Sequence, residues 1–167
     1  MFCLLLPGAL AFNSCKTAND YNMSSQDFAT QAASGNLFEI AAGNLAINSS
    51  DTTIRAFGSR IIADYGRAEN DLAALASKKG WSIPAAMGLL DQEKLDTLSS
   101  LSGSAFAQKF AAIMVMSHGR AILLFQTASG NNGVPDAELS AFAAGRLPMI
   151  KADLQLAEQL PQTIVSK

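Results

Sequence analysis

Apolar side chains recur at spacings of three and four through most of the chain, the period of a helix with one buried face. Four long stretches carry this period. In the first, from about Ser24 to Asn48, Phe28, Ala32, Gly35, Glu39, Ala42 and Ala46 fall on one stripe. The cluster Asn48-Ser49-Ser50-Asp51 ends it and offers an N-cap to the second. The second, from about Asp51 to Lys79, aligns Ile54, Phe57, Ile61, Tyr65, Ala68, Leu72 and Leu75. It closes on Lys78-Lys79-Gly80, two cations on the helix dipole followed by glycine. The third runs from about Ser104 to Ala128, with Phe106, Phe110, Met114, His118, Ala121 and Phe125 on one side. The fourth opens at Pro135, a favoured first-turn residue, and aligns Leu139, Phe142, Arg146, Ile150, Asp153, Ala157 and Leu160. Pro148 lies inside it and predicts a kink or a short break. No stretch shows the period of a strand.

The connections set the topology. Short links between the first and second helices, and between the third and fourth at Gly130-Asn131-Asn132-Gly133, make each pair antiparallel. The link from Gly80 to Gly103 is about 24 residues long and carries a short helical segment, Asp91 to Leu98. A connection of that length can cross the bundle, so the second and third long helices are expected to run parallel, as in a ferritin-like bundle. The fold class expected is therefore all-α: a ferritin-like four-helix bundle with one long crossover. Both the second and the fourth helix open on D-x-x-(Ile/Leu)-x-Ala-Phe, at Asp51–Phe57 and Asp136–Phe142, a faint internal echo where a two-fold bundle would place it.

Composition agrees and narrows the function classes. With 167 residues the chain can bury a core without staples. It holds 29 alanines and 5 prolines, a helix-rich usage. A formal charge of −2 argues against a nucleic-acid partner. Glycines inside the helices at Gly35, Gly43, Gly58, Gly66, Gly119 and Gly145 each cost about 0.5–1 kcal/mol against alanine. Close helix approach would offset that cost, so a tightly packed interior with little room is expected.

The N-terminus reads as an address. Residues Met1 to Phe12 are almost wholly apolar, and the run is too short for a permanent span of about 20 residues. It ends Ser14-Cys15-Lys16, a small residue and a cysteine that resemble the bacterial lipoprotein signal. Cleavage before Cys15 would remove Cys3 and leave a single cysteine, which acylation accounts for. The domain organisation expected is a signal over 1–14, a flexible tether over 15–25 and a bundle over 26–161. The expected location is the periplasmic face of the outer membrane, held by lipid at Cys15; the alternative is a plain signal peptide and a soluble periplasmic protein.

In order, Gly35-Asn36-x-x-Glu39-Ile40, Ile54-x-Ala56-Phe57-x-x-x-Ile61-Ile62-x-Asp64, Met114-x-x-x-His118 and Leu147-Pro148 form a recognisable series. It resembles a bacterial exported family of unknown function, often labelled "predicted outer membrane protein". The resemblance covers roughly Phe28 to Leu160. It implies a ferritin-like fold and an envelope location, and no agreed activity. The family carries a histidine after the aspartate of the second helix, one in the third, and one shortly after the Leu-Pro of the fourth. Here those positions hold Tyr65, His118 and Asp153, so a histidine-based metal site is not carried over intact.

Candidate chemistry is sparse. A di-iron bundle centre needs Glu-x-x-His on two helices, and this chain has one histidine and no such motif. Four ionisable side chains nevertheless interrupt the apolar stripes, one per helix: Glu39, Tyr65, His118 and Asp153. Tyr65 and His118 each lie about 21 Å into their helices and share a level if those helices are parallel. The four could bind a single metal ion through oxygen and nitrogen, or form a cluster in which His118 is satisfied by a carboxylate or the tyrosine hydroxyl. Ser117 is expected to point off the buried face, Met114 and Phe110 to be core, and Trp81 to cover the bundle's end. No cofactor is otherwise expected, and no catalytic residue is assigned. The function expected is that of a lipid-anchored envelope bundle, structural or binding and non-enzymatic, with an unidentified protein partner; the alternative is a metal- or small-ligand-binding bundle around His118.

Overall fold

The computed structural model describes residues 21–160, so the apolar leader, Cys15 and the start of the tether lie outside the described residues, as does residue 161. Five helices follow one another: α1 (Ser25–Ala46), α2 (Thr52–Lys79), α3 (Leu89–Ser99), α4 (Gly103–Ser129) and α5 (Ala137–Ala157). No strand occurs among the described residues. The short crossover helix predicted over Asp91 to Leu98 is α3, longer by two residues at the front and one at the back.

Helix starts follow the side-chain chemistry of the sequence. Ser24 caps α1 by accepting from the Asp27 amide, and Asp51 caps α2 by accepting from the amides of Thr53 and Ile54. Asp136 does the same for α5 through the Leu139 amide. The two D-x-x-(Ile/Leu)-x-Ala-Phe segments are thus two aspartate-capped helix openings. Pro135 consequently lies before the cap rather than in the first turn. Gly80 ends α2 at φ 71°, a left-handed conformation that costs a glycine little. The helix α5 runs through Pro148 without a break, although proline supplies no amide to the carbonyl one turn earlier.

Pairs of contacting residues give the helix directions. Gly43 lies against Gly58, and Asn36 bonds to Glu69, so α1 and α2 are antiparallel. Arg60 meets Asp153 and Lys78 meets Glu138, so α2 and α5 are antiparallel. The ring of Phe57 packs edge-on to Phe110 and that of Tyr65 edge-on to His118, the same sequence offset at both places. Constant offset means that α2 and α4 run parallel, the connectivity the long crossover predicts.

The interior is divided along its length. One apolar cluster gathers Phe38, Phe57, Ile61, Phe106, Phe110 and Met114; the other gathers Phe28, Leu72, Phe125, Leu139 and Ile150. Trp81 packs on the second from the crossover. Between them lie the buried polar residues Asn36, Glu39, Ser117, His118 and Asp153. The helix α4 is long and apolar enough to cross a bilayer, but here its apolar side closes both clusters.

Two expectations about packing change. A Cβ at Gly43 would sit 2.7 Å from Ile62 Cγ1, and one at Gly58 2.7 Å from Ala46 Cβ, so α1 and α2 do touch through glycine. At Gly35, Gly66, Gly119 and Gly145 a Cβ would meet nothing within 4 Å, so close approach does not explain those glycines. Nor is the bundle without room: a cleft of about 460 Å³ opens between α1, α3 and α4. It exists because α3 stands off as a strap over the α1–α4 groove rather than filling it.

Candidate functional site

Each long helix brings one ionisable side chain of the predicted quartet into the middle layer. Glu39 and Tyr65 are each 4% exposed, and His118 and Asp153 are fully buried. The Tyr65 and His118 rings lie 5.8 Å apart between centroids, at nearly a right angle. The Phe57 ring also packs near the imidazole, at 6.1 Å between centroids.

Hydrogen bonds fix the orientation of three of the four. The imidazole Nδ1 of His118 donates to the Met114 carbonyl at 2.7 Å. A carbonyl can only accept, so Nδ1 carries a proton, while Nε2 has no partner. Glu39 Oε1 accepts from the Ser117 hydroxyl at 2.7 Å and stands 3.9 Å from His118 Nδ1, beyond hydrogen-bond reach. Asp153 Oδ1 accepts from Arg60 Nε at 2.6 Å. The same guanidinium reaches Asp64 at 3.5 Å, so half-exposed Arg60 closes the α2–α5 seam over a buried carboxylate.

The four groups do not satisfy one another, contrary to the simplest expectation for a polar cluster. Glu39 Oε2, Tyr65 Oη, His118 Nε2 and Asp153 Oδ2 are all buried without a hydrogen-bond partner. Such atoms cost about 1–3 kcal/mol each when nothing meets them. The carboxyls respond in the expected direction. Burial pushes Glu39 above its ordinary value, against the opposing pull of His118, Ser117 and Lys94. Burial also raises Asp153, although Arg60 opposes it. The Tyr65 phenol is held well above its usual range by burial and by the nearby carboxylates.

A shared metal ion is a poor fit to this layer. Among the described residues no three His, Cys, Asp or Glu side chains converge closely enough to hold one.

Sequence reasoning missed the second half of the site. Ser117 does not point off the helix face; it is buried and bonded to Glu39. Being adjacent to His118, it falls outside a single helical stripe, and it is buried because α4 faces α1 as well as α2 and α5. Glu39, Tyr65 and Ser117 also line the cleft. Its walls are Phe38, Leu124 and Phe125 from the long helices and Leu89 and Leu90 from α3. The strap is tied down by Ser34, which donates to Asp91 and accepts from the Gly88 amide. Lys94 pairs with Asp91 at 2.6 Å and places its ammonium 4.1 Å from the centre of the Phe38 ring. Lys78 and Lys79, expected only to cap α2, also pair with Glu138 and Asp136 at the start of α5.

No curated protein and no solved structure matches the chain. A family model described as a domain of unknown function (DUF4142) matches residues 12–160, which takes in all five helices and every residue of the middle layer. The chain belongs to that family of unknown function.

Proposed function

We propose that this protein is an exported, lipid-anchored binding bundle that holds one small amphipathic molecule in the cleft between α1, α3 and α4. The observation that carries the reading is the cleft itself: about 460 Å³, apolar on its walls, with the unsatisfied side chains of Glu39 and Tyr65 among its lining. That volume and mixture suit a small-molecule site. Binding is favoured over catalysis because His118 is not among the residues lining the cleft, so a bound molecule would not meet the one imidazole. Export and anchoring rest on the apolar run ahead of Ser14-Cys15.

The test uses a neutral, environment-sensitive dye such as N-phenyl-1-naphthylamine and the full chain carrying Cys15→Ser, which removes the acylation site. Saturable binding near one dye per chain is expected. Gly35→Leu projects a side chain into open cleft space and is expected to abolish it. Dye uptake that is unsaturable, or unchanged by Gly35→Leu in a folded variant, overturns the reading.

A further inference from the structure

The middle layer holds two carboxyl oxygens without partners, Glu39 Oε2 and Asp153 Oδ2, and one hydroxyl able to donate, Tyr65 Oη. Ser117 cannot make up the difference, because its single proton is directed to Glu39 Oε1. Two of these groups, Glu39 and Tyr65, line the cleft, while His118 and Asp153 lie behind them. A head group that enters the cleft therefore borders a carboxyl with one unpartnered oxygen and an unpartnered phenol, both atoms covered by their neighbours, so that contact with them requires a small side-chain shift.

From this we infer that the cleft recognises an amphipathic amine: a protonated amino head set against Glu39 and Tyr65, with an apolar body along Phe38, Leu89, Leu124 and Phe125. The inference deepens the binding function proposed above and rests on it. An ammonium brings three donors and a positive charge, which suits a carboxyl oxygen that lacks a donor. A hydroxyl head brings one donor and no charge. A carboxylate head would place a second negative charge beside Glu39 and is the least suited. The aromatic wall is compatible with a cation, since the Lys94 ammonium already lies over Phe38. Lys94 itself is held by Asp91 and forms no ion pair with Glu39, although its charge favours the ionised carboxyl. Other charges facing the cleft are Asp91, paired with Lys94, and Arg120 at the exposed rim, where solvent and salt screen it.

Three ligands with the same tail decide the matter: octylamine, octanol and octanoate, each displacing the bound dye from the full chain carrying Cys15→Ser at neutral pH. Octylamine is expected to displace at about one tenth of the octanol concentration or lower, the range of one charge-assisted hydrogen bond. Octanoate is expected to be weakest. Glu39→Gln, which keeps the side chain's shape, is expected to bring octylamine to the level of octanol, the ratio between the two being the quantity read. If octanol or octanoate equals octylamine on the wild-type side chains, the amine assignment is overturned and the cleft reading stands. If the advantage survives Glu39→Gln, the assignment to Glu39 is overturned. If none of the three displaces the dye, both readings fall.

Discussion

The hydroxyl of Ser117 donates to Glu39 Oε1 at 2.7 Å and so ties the middle of α4 to the middle of α1, beneath the cleft. It is the one side-chain hydrogen bond that Glu39 receives, and the other carboxylate oxygen has none. Ser117→Ala should therefore leave both oxygens short of donors. A loss of about 1–3 kcal/mol in urea unfolding at neutral pH is expected. The loss should shrink in mild acid, where a protonated Glu39 needs one donor fewer.

The raised pKa values of Glu39 and Asp153 set a sign for the pH dependence. Both bind protons more readily in the fold than in the unfolded chain. Their contribution is most favourable below the unfolded carboxylate range and is lost as pH rises through the folded value. Asp136, lowered against burial by Lys79 and the Leu139 amide, and Glu138, lowered by Lys78 and Lys79, act oppositely and lose their contribution as pH falls through their own folded values. Melting temperature should hence rise as pH is lowered through the folded values of Glu39 and Asp153, then fall in stronger acid as Asp136 and Glu138 are protonated. Glu39→Gln should flatten the first limb and leave the second; an unchanged first limb would assign it elsewhere.

Glycine substitutions should split by location. Gly58→Ala forces a methyl to 2.7 Å from Ala46 Cβ and 3.0 Å from the Gly43 carbonyl oxygen, and should cost about 1–3 kcal/mol. Gly35→Ala meets open space and should gain about 0.5–1 kcal/mol from helix propensity. Chemical denaturation of the two variants checks both.

Arg60 and Asp153 should behave as a coupled pair. Arg60→Met leaves a buried aspartate without its donor and should cost about 1–3 kcal/mol, a range reduced from that of fully buried pairs because Arg60 is partly exposed. In the Asp153→Asn background the same change should cost clearly less, and a double-mutant cycle measures the difference.

Mass spectrometry of the N-terminal peptide from the full chain expressed in a bacterium should show an acylated Cys15 as the first residue. An unmodified N-terminus elsewhere would remove the anchor and leave the cleft reading untouched.

Much of this architecture was legible in the residues. Phe28 to Ala46 and Ile54 to Leu72 keep a helical stripe because each helix has one dominant inward face, and the length from Gly80 to Gly103 sufficed to predict that α2 and α4 are parallel. Glu39, Tyr65, His118 and Asp153 stood out because an ionisable group inside an apolar stripe is an interruption. Ser117 and Arg60 did not stand out. Ser117 lies off its helix's main stripe, and Arg60 is a surface residue whose importance comes from a partner 93 positions away. The cleft was misjudged outright: room between α1, α3 and α4 is set by where the crossover settles, and periodicity along one helix holds no information about that.

The strap has a consequence for how such a bundle could diversify. Leu89, Leu90, Asp91 and Lys94 supply one bank of the cleft, yet α3 contributes only Leu98 to the fully buried interior. The remaining bank and the polar bed belong to helices that must keep their side chains to close the two apolar clusters. Under the binding function proposed above, selectivity would be rewritten by exchanging one short stretch of connecting chain, while the long helices go on folding around the same centre. The crossover is an interchangeable face on a fixed frame.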